Sequence, residues 1–400
     1  MKTTIKLAVA SALVAAASSA QAGITIPAGD WTLDIGGVVN AYYTTSKFSG
    51  DTGAGASALG LGTDQSSRNN ITTGLLPNYL SVSGKTRQND LDVGFTISIN
   101  PGASTSNSGV QSAQQENRQA FLTFGDKSWG SIKLGKDLGI YASDAILNDM
   151  TLLGVGGGAG SLSGNTTTLG RIGSGFMYAD WKSQVAYSSP NWNGFSFTVG
   201  LTQGWNAVAA ESLNSASGTE RSGAQSAYEG KASYEWAGDV AGKVWASGIS
   251  QRVSLTGAAG ADRATAFDIG TTVNVAGFGL TGYYGQGDGI GQTFQLRNGF
   301  DATGKSRDSD QWYLQGTYTL PGVGTKLGVS YGESTLDGNS TDTFSEVQDS
   351  MITVGAYHPL TKHLNLVAEY SESERELDRR ANTTLDAKEK TISLGAILFF

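Results

Sequence analysis

Much of this chain alternates, residue by residue, between oily and polar side chains. Leu91, Val93, Phe95, Ile97 and Ile99 alternate with Asp92, Gly94, Thr96, Ser98 and Asn100. Phe195, Phe197, Val199 and Leu201 alternate with Ser196, Thr198, Gly200 and Thr202. Trp312, Leu314, Gly316 and Tyr318 do so against Gln311, Gln315 and Thr317, and Leu364, Leu366, Ala368 and Tyr370 against Asn365 and Glu369. A period of two is that of a strand with unlike faces, and an amphipathic helix would repeat every ~3.6 residues. About sixteen stretches of this kind can be drawn, an even number as in bacterial barrels. The last reads TISLGAILFF and ends at Phe400, with Ile392, Leu394, Ala396, Leu398 and Phe400 on one parity and Thr391, Ser393 and Gly395 on the other. An apolar terminal strand left unpaired is an aggregation template. Pairing it with the first strand closes a barrel whose oily face meets lipid.

The connections alternate too. Short turns fall near Arg87-Gln88, 125–128, Pro190-Asn191, 237–240, Ala276-Gly277, 321–324 and 359–362. Between them lie long segments rich in Gly, Ser, Thr, Asn and Asp at about 49–78, 101–114, 137–181, 203–226, 254–262, 286–309, 334–348 and 373–388. Unstructured loops of that length are uncommon in compact soluble domains. Tight turns on one side and long loops on the other are the plan of an up-and-down barrel in an outer membrane. Trp129, Trp192, Phe195, Trp236, Phe278, Tyr357 and Phe400 sit by the short turns or the terminus. Tyr42, Tyr43, Tyr283, Tyr284, Trp312 and Tyr331 sit toward the long loops. These predict two interfacial girdles.

The N-terminus names a compartment. Lys2 and Lys6 precede an apolar run from Leu7 to Ala17, and Ala20-Gln21-Ala22 offers a small-residue cleavage site before Gly23. This predicts a secretory signal peptide over 1–22 and a mature barrel over 23–400. The apolar run is well short of the ~20 residues a spanning helix needs. With 56 glycines, 6 prolines and no cysteine, the exported chain has many turns and no disulfide framework. A mean hydropathy of −0.19 is too polar for a helical membrane protein and suits a barrel coated with apolar groups and lined with polar ones. Removing Lys2 and Lys6 leaves 25 basic against 35 acidic residues, a net charge of −10. Nucleic-acid binding, which needs a basic footprint, is disfavoured.

Catalytic and metal-binding patterns are missing. The 2 histidines, His358 and His363, flank a short turn with no cysteine and no near carboxylate. No G-x-S-x-G accompanies them, and the run 154–160 lacks the Lys-Ser/Thr of a phosphate loop. No enzyme activity, cofactor or metal is expected.

Two stretches resemble the general porins of Gram-negative outer membranes. Arg118-Gln119-Ala120-Phe121 followed by Trp129-Gly130-Ser131-Ile132-Lys133-Leu134-Gly135-Lys136 is similar to that family's strand entering its constriction loop. Tyr187-Ser188-Ser189-Pro190-Asn191-Trp192-Asn193-Gly194-Phe195 is close to a family turn. The resemblance implies an all-β, 16-stranded antiparallel transmembrane barrel whose third external loop folds inward. It implies a homotrimer in contact with outer-membrane lipid and lipopolysaccharide, inserted by the barrel assembly machinery through a signal that includes Phe400. The implied function is passive diffusion of small hydrophilic solutes and ions through a water-filled pore. A solute-specific channel and a structural or adhesion barrel with a plugged lumen are the alternatives. By position, Arg118 and Lys136 become wall bases, facing the loop acids Asp144 and Asp149 across the throat; the loop's third acid is Asp180. Lys133, flanked by Ile132 and Leu134, is expected to face the lumen. Tyr79 and Ala186 stand where many members carry arginine, which thins the basic wall.

Overall fold

The computed structural model describes residues 23–51, 67–103, 115–158, 167–205, 219–220, 225–255, 261–301 and 303–400. The expected leader lies outside them. The strands are β1 (Ile24–Ala28), β2 (Trp31–Gly50), β3 (Ser67–Thr72), β4 (Tyr79–Gln88), β5 (Leu91–Pro101), β6 (Gln115–Asp126), β7 (Gly130–Leu138), β8 (Trp181–Ser188), β9 (Phe195–Thr202) and β10 (Thr219–Glu220). They continue with β11 (Ala227–Trp236), β12 (Val240–Leu255), β13 (Ala261–Val275), β14 (Phe278–Asp288), β15 (Asp308–Thr319), β16 (Lys326–Asp337), β17 (Phe344–Pro359), β18 (Leu364–Arg379) and β19 (Thr383–Phe399). All belong to one sheet.

Strand β19 returns to β2, from Ala387 opposite Gly50 to Phe399 opposite Val38, and the barrel closes. Three short segments only extend their neighbours. Strand β1 pairs with the foot of β2 in line with β19, β3 pairs with the upper half of β2 in line with β4, and β10 pairs with β12 in line with β11. Sixteen wall strands remain, all antiparallel. At the seam Phe400 and Gly37 exchange backbone hydrogen bonds of 2.8 and 3.0 Å, and the Phe400 ring lies over Gly37, where a Cβ would collide with it.

The wall reverses the burial of a soluble core. Ile392 and Leu394 are 49% and 54% exposed, while Glu389, Thr391 and Ser393 between and above them are buried. On β18, Leu366 and Tyr370 face out; Glu369, Ser371, Ser373 and Arg375 are buried inward. Exposed apolar rows of this extent are a lipid-facing surface, since water would penalise them and hydrocarbon does not.

Turn chemistry follows from backbone handedness. Gln88 pairs with Leu91 across Asn89 and Asp90, whose φ angles are 47° and 62°. Two left-handed central residues give the mirror-image turn that matches strand twist, and Asn and Asp tolerate it. The turn expected at Arg87-Gln88 is therefore two residues later, because both residues still pair in β4.

Two expected loops are largely strand. Strands β16 and β17 pair out to Asp337 opposite Glu346, and β18 and β19 out to Arg379 opposite Thr383. Connections 338–343 and 380–382 are all that remains of the segments 334–348 and 373–388. Above the apolar band the outward face need not be oily, so Glu372, Glu374, Glu376 and Asp378 alternate with Ser373, Arg375 and a single apolar residue, Leu377, and give too weak a hydropathy signal to mark a strand. The girdles are also thinner than expected. Tyr42, Tyr283 and Tyr357 point inward, with hydroxyls donating to the Leu153 carbonyl, Asp268 and Glu369. Trp129, Trp192, Phe195, Phe278, Tyr43, Tyr284 and Tyr331 remain outside, joined by Tyr228 and Tyr370.

Candidate functional site

The described residues 139–158 and 167–180, between β7 and β8, lie against the inner wall. Glycine-rich stretches and a left-handed Ala142, with φ of 62°, let the chain bend into a short helix, α1 (Ser143–Asn148), and a 3-10 turn (Met150–Leu153). Wall carboxylates hold the backbone, whose donors have no water-exposed alternative there. Glu229 on β11 accepts from the Ile140 and Tyr141 N–H groups, each at 2.8 Å, from Lys182 at 2.6 Å and from the Thr202 hydroxyl at 2.7 Å. Lys182 and Glu229 are fully buried. Farther round, Glu369 accepts from the Val155 and Gly156 N–H groups at 2.7 and 2.9 Å. Gln315 accepts from the Met150 N–H, and Arg171 donates to the Met351 and Ser330 carbonyls at 2.8 and 3.0 Å. The loop is thus tied to β11, β15, β16, β17 and β18.

A second inward segment, the described residues 289–301 and 303–307, falls within 286–309, which the sequence alone marks as one of the long external loops. Its Ile290, Leu296 and Phe300 are buried with Tyr141, Met177 and Ala179. Gln295 donates to the Tyr178 and Ala179 carbonyls, and the Tyr178 N–H donates to the Thr293 carbonyl at 3.0 Å. Four apolar residues in a nominal solvent loop (Ile290, Phe294, Leu296 and Phe300) were the available signal.

These segments leave a cavity of about 850 Å³ against β4 to β7. Asn100, Glu116, Arg118, Gln119, Lys136 and Asp137 form its polar side. Leu76, Ile146, Leu147, Leu152, Leu169 and Ile172 form an apolar side, with Tyr178, Trp205 and Phe294 at its edge. Tyr79 and Asp180 line it too. The β5–β6 register slips between Ser98 and Asn100, a bulge beside Arg118. The Arg118 Nε donates to Glu116 at 2.7 Å, and its guanidinium lies 5.7 Å from the Trp181 ring centroid. Lys136 donates to the Asn117 carbonyl at 2.8 Å.

The expected throat residues are therefore divided. Arg118, Lys136 and Tyr79 share the cavity. Lys133 contacts Asp137 and lies 4.8 Å from the Phe121 ring, on the wall below it. Asp144 faces away, paired with Lys231 at 3.1 Å and Lys243 at 2.5 Å. Asp149 caps the 3-10 turn, accepting from the Thr151 N–H at 3.0 Å. The expectation that Asp144 or Asp149 opposes Arg118 and Lys136 is corrected: α1 turns its acid to β11 and β12 and leaves Ile146 and Leu147 at the opening. Lys231 and Lys243 were not foreseen. Their inward parity on β11 and β12, opposite to that of Tyr234 and Val244, was the available clue.

Electrostatics follow burial. Burial works to raise the Asp144 carboxyl, but Lys231 and Lys243 outweigh it and hold the group below its ordinary range. Burial raises Asp149 despite Arg171 and the Thr151 donors, and it lowers Arg171. At the cavity, burial raises Asp180 against the opposing pull of the Trp181 N–H, Lys182, Arg118 and Lys136.

A closed barrel, an outward apolar surface and an inward loop beside a polar cavity are now joined by a family match: a profile for Gram-negative porins covers residues 8–377. The chain belongs to the Gram-negative porins. Comparison with curated protein sequences found no match. Among solved structures, the porin resembles an anion-selective porin from Comamonas acidovorans, at 16% identity and a TM-score of 0.61, over 92% of this chain and 100% of that one. It resembles the outer membrane channel DcaP of Acinetobacter baumannii, at 15% identity and TM-score 0.67, over 94% and 99%. Salmonella typhi OmpF in complex with daunomycin matches at 17% identity and TM-score 0.55, over 93% and 100%. This porin is a channel of the Gram-negative outer membrane for passive diffusion of solutes.

Proposed function

We propose that the mature chain begins at Gly23, assembles as a homotrimer in contact with lipopolysaccharide, and passes small hydrophilic solutes and ions through the cavity beside β4 to β7, without catalysis. Arg118, Lys136, Asp180 and Tyr79 line the narrow part, and ion preference arises from the field between them. The observation that carries this reading is the 850 Å³ space left between the inward loop and a polar wall inside a lipid-facing barrel. An open space of that size speaks against a plugged adhesion barrel. The trimer is supported by a fold relative, Vibrio cholerae OmpT, whose structure is described as a trimer form. Phe400, at the seam, serves as part of the signal read by the barrel assembly machinery. Purified protein added to planar bilayers should give discrete steps whose conductance rises in proportion to salt concentration. Membranes that stay silent under protein shown to be folded would overturn the reading.

A further inference from the structure

The opening has two unlike sides. Its polar side carries charge, and the loop facing it offers aliphatic and aromatic side chains where the sequence reading expected acids. Leu76, Leu147, Tyr178, Trp205 and Phe294 are only partly buried, so their unburied surface is turned to the cavity they line. The Tyr178 and Phe294 rings meet edge to face at 6.0 Å, which fixes an aromatic corner from two inward segments. The acids lining the cavity are engaged: Glu116 by Arg118, Asp137 by Lys133 and Gln119, and Asp180 by the Trp181 N–H. Lys136 is the cavity-lining cation, among the described residues, whose hydrogen bond goes to an uncharged carbonyl.

We infer that this opening is a binding site for small aromatic carboxylates, the ring packing on Leu147, Tyr178 and Phe294 and the carboxylate meeting Lys136 and Arg118. The inference rests on the pore reading above and adds the solute class. Moving a ring from water onto an apolar wall removes apolar surface from solvent, and a carboxylate held by ammonium and guanidinium groups keeps its hydrogen bonds. A short aliphatic acid has the charge without the ring, and an aromatic amide has the ring without the charge. Neither satisfies both sides. Solutes bound at the opening occupy it for a time and interrupt ion flow, so binding is read directly from the current.

The test uses single channels of the full-length mature protein in potassium chloride, with benzoate, propionate and benzamide as probes. Benzoate should block in a saturable way, with a half-blocking concentration at least 5-fold lower than propionate or benzamide. In channels that still open, Leu147→Ser with Phe294→Ala should raise that concentration at least 5-fold. Lys136→Gln should erase the preference for benzoate over benzamide. Channels that open normally but are blocked equally by the three probes overturn the proposal while leaving the pore reading intact. So does a double variant blocked by benzoate as the wild type is. If folded protein forms no channels at all, the pore reading itself is overturned, and this proposal with it.

Discussion

Asp180, Arg118 and Lys136 are among the charges that line the cavity, and their substitution should act on selectivity. Arg118→Ala with Lys136→Ala should shift the reversal potential in a salt gradient toward cation preference, most at low salt, where screening is weakest. The Asp144→Asn change should leave the reversal potential nearly unmoved, because Asp144 is turned to Lys231 and Lys243. A shift from Asp144→Asn as large as that from the basic pair would place the loop wrongly. Asp180 gives a pH dependence with a definite sign. Its raised carboxyl takes up a proton at a higher pH than an ordinary aspartate does, so mild acidification removes a negative charge from the opening. Anion preference should therefore increase on acidification, starting above the range in which an ordinary aspartate titrates, and Asp180→Asn should show the acidic-side preference without acidification. An identical pH profile in wild type and Asp180→Asn would reject this role.

At the scale of elements, the inward loop is held by wall carboxylates as well as by apolar packing. Glu229 joins two loop N–H groups, a buried lysine and a threonine hydroxyl in one cluster. Glu229→Gln leaves Lys182 buried beside a neutral amide, and breaking a buried pair of this kind costs about 3–5 kcal/mol. Urea unfolding in detergent should show a lowered midpoint, and single-channel traces should show added open-state noise as the loop loosens. A quiet trace and an unchanged midpoint would contradict the latch. The strands themselves were legible because a barrel wall between lipid and water imposes strict alternation, as Leu91 to Asn100 and Thr391 to Phe400 show. The loop interior was not legible. Ile146, Leu147, Leu169 and Ile172 have no periodicity to announce a lumen, and the partners of Asp144 lie 87 and 99 residues away in sequence. Arg118, Lys136 and Tyr79, nominated through family likeness, line the cavity, and Asp144 and Asp149, nominated to face them, do not. Segment 289–307 looked external because its position after β14 suggested it, though its apolar residues indicated burial.

At the scale of the molecule, closure joins both ends of the chain at one seam. Phe400 exchanges backbone hydrogen bonds with Gly37 and covers it with its ring. Deleting Phe400 removes both, so the yield of heat-resistant oligomer in membranes should fall while channels that do assemble conduct normally. Normal oligomer levels with altered conductance would reverse that assignment. The central claim is that the space beside the inward loop is an open, water-filled passage. Swelling of liposomes containing the purified protein, in isotonic solutions of neutral sugars of increasing size, tests it most directly. The account predicts rates that fall steeply and continuously with sugar size and do not saturate with concentration. Liposomes that swell no faster than protein-free controls for the smallest sugar, with folded protein present, would contradict it.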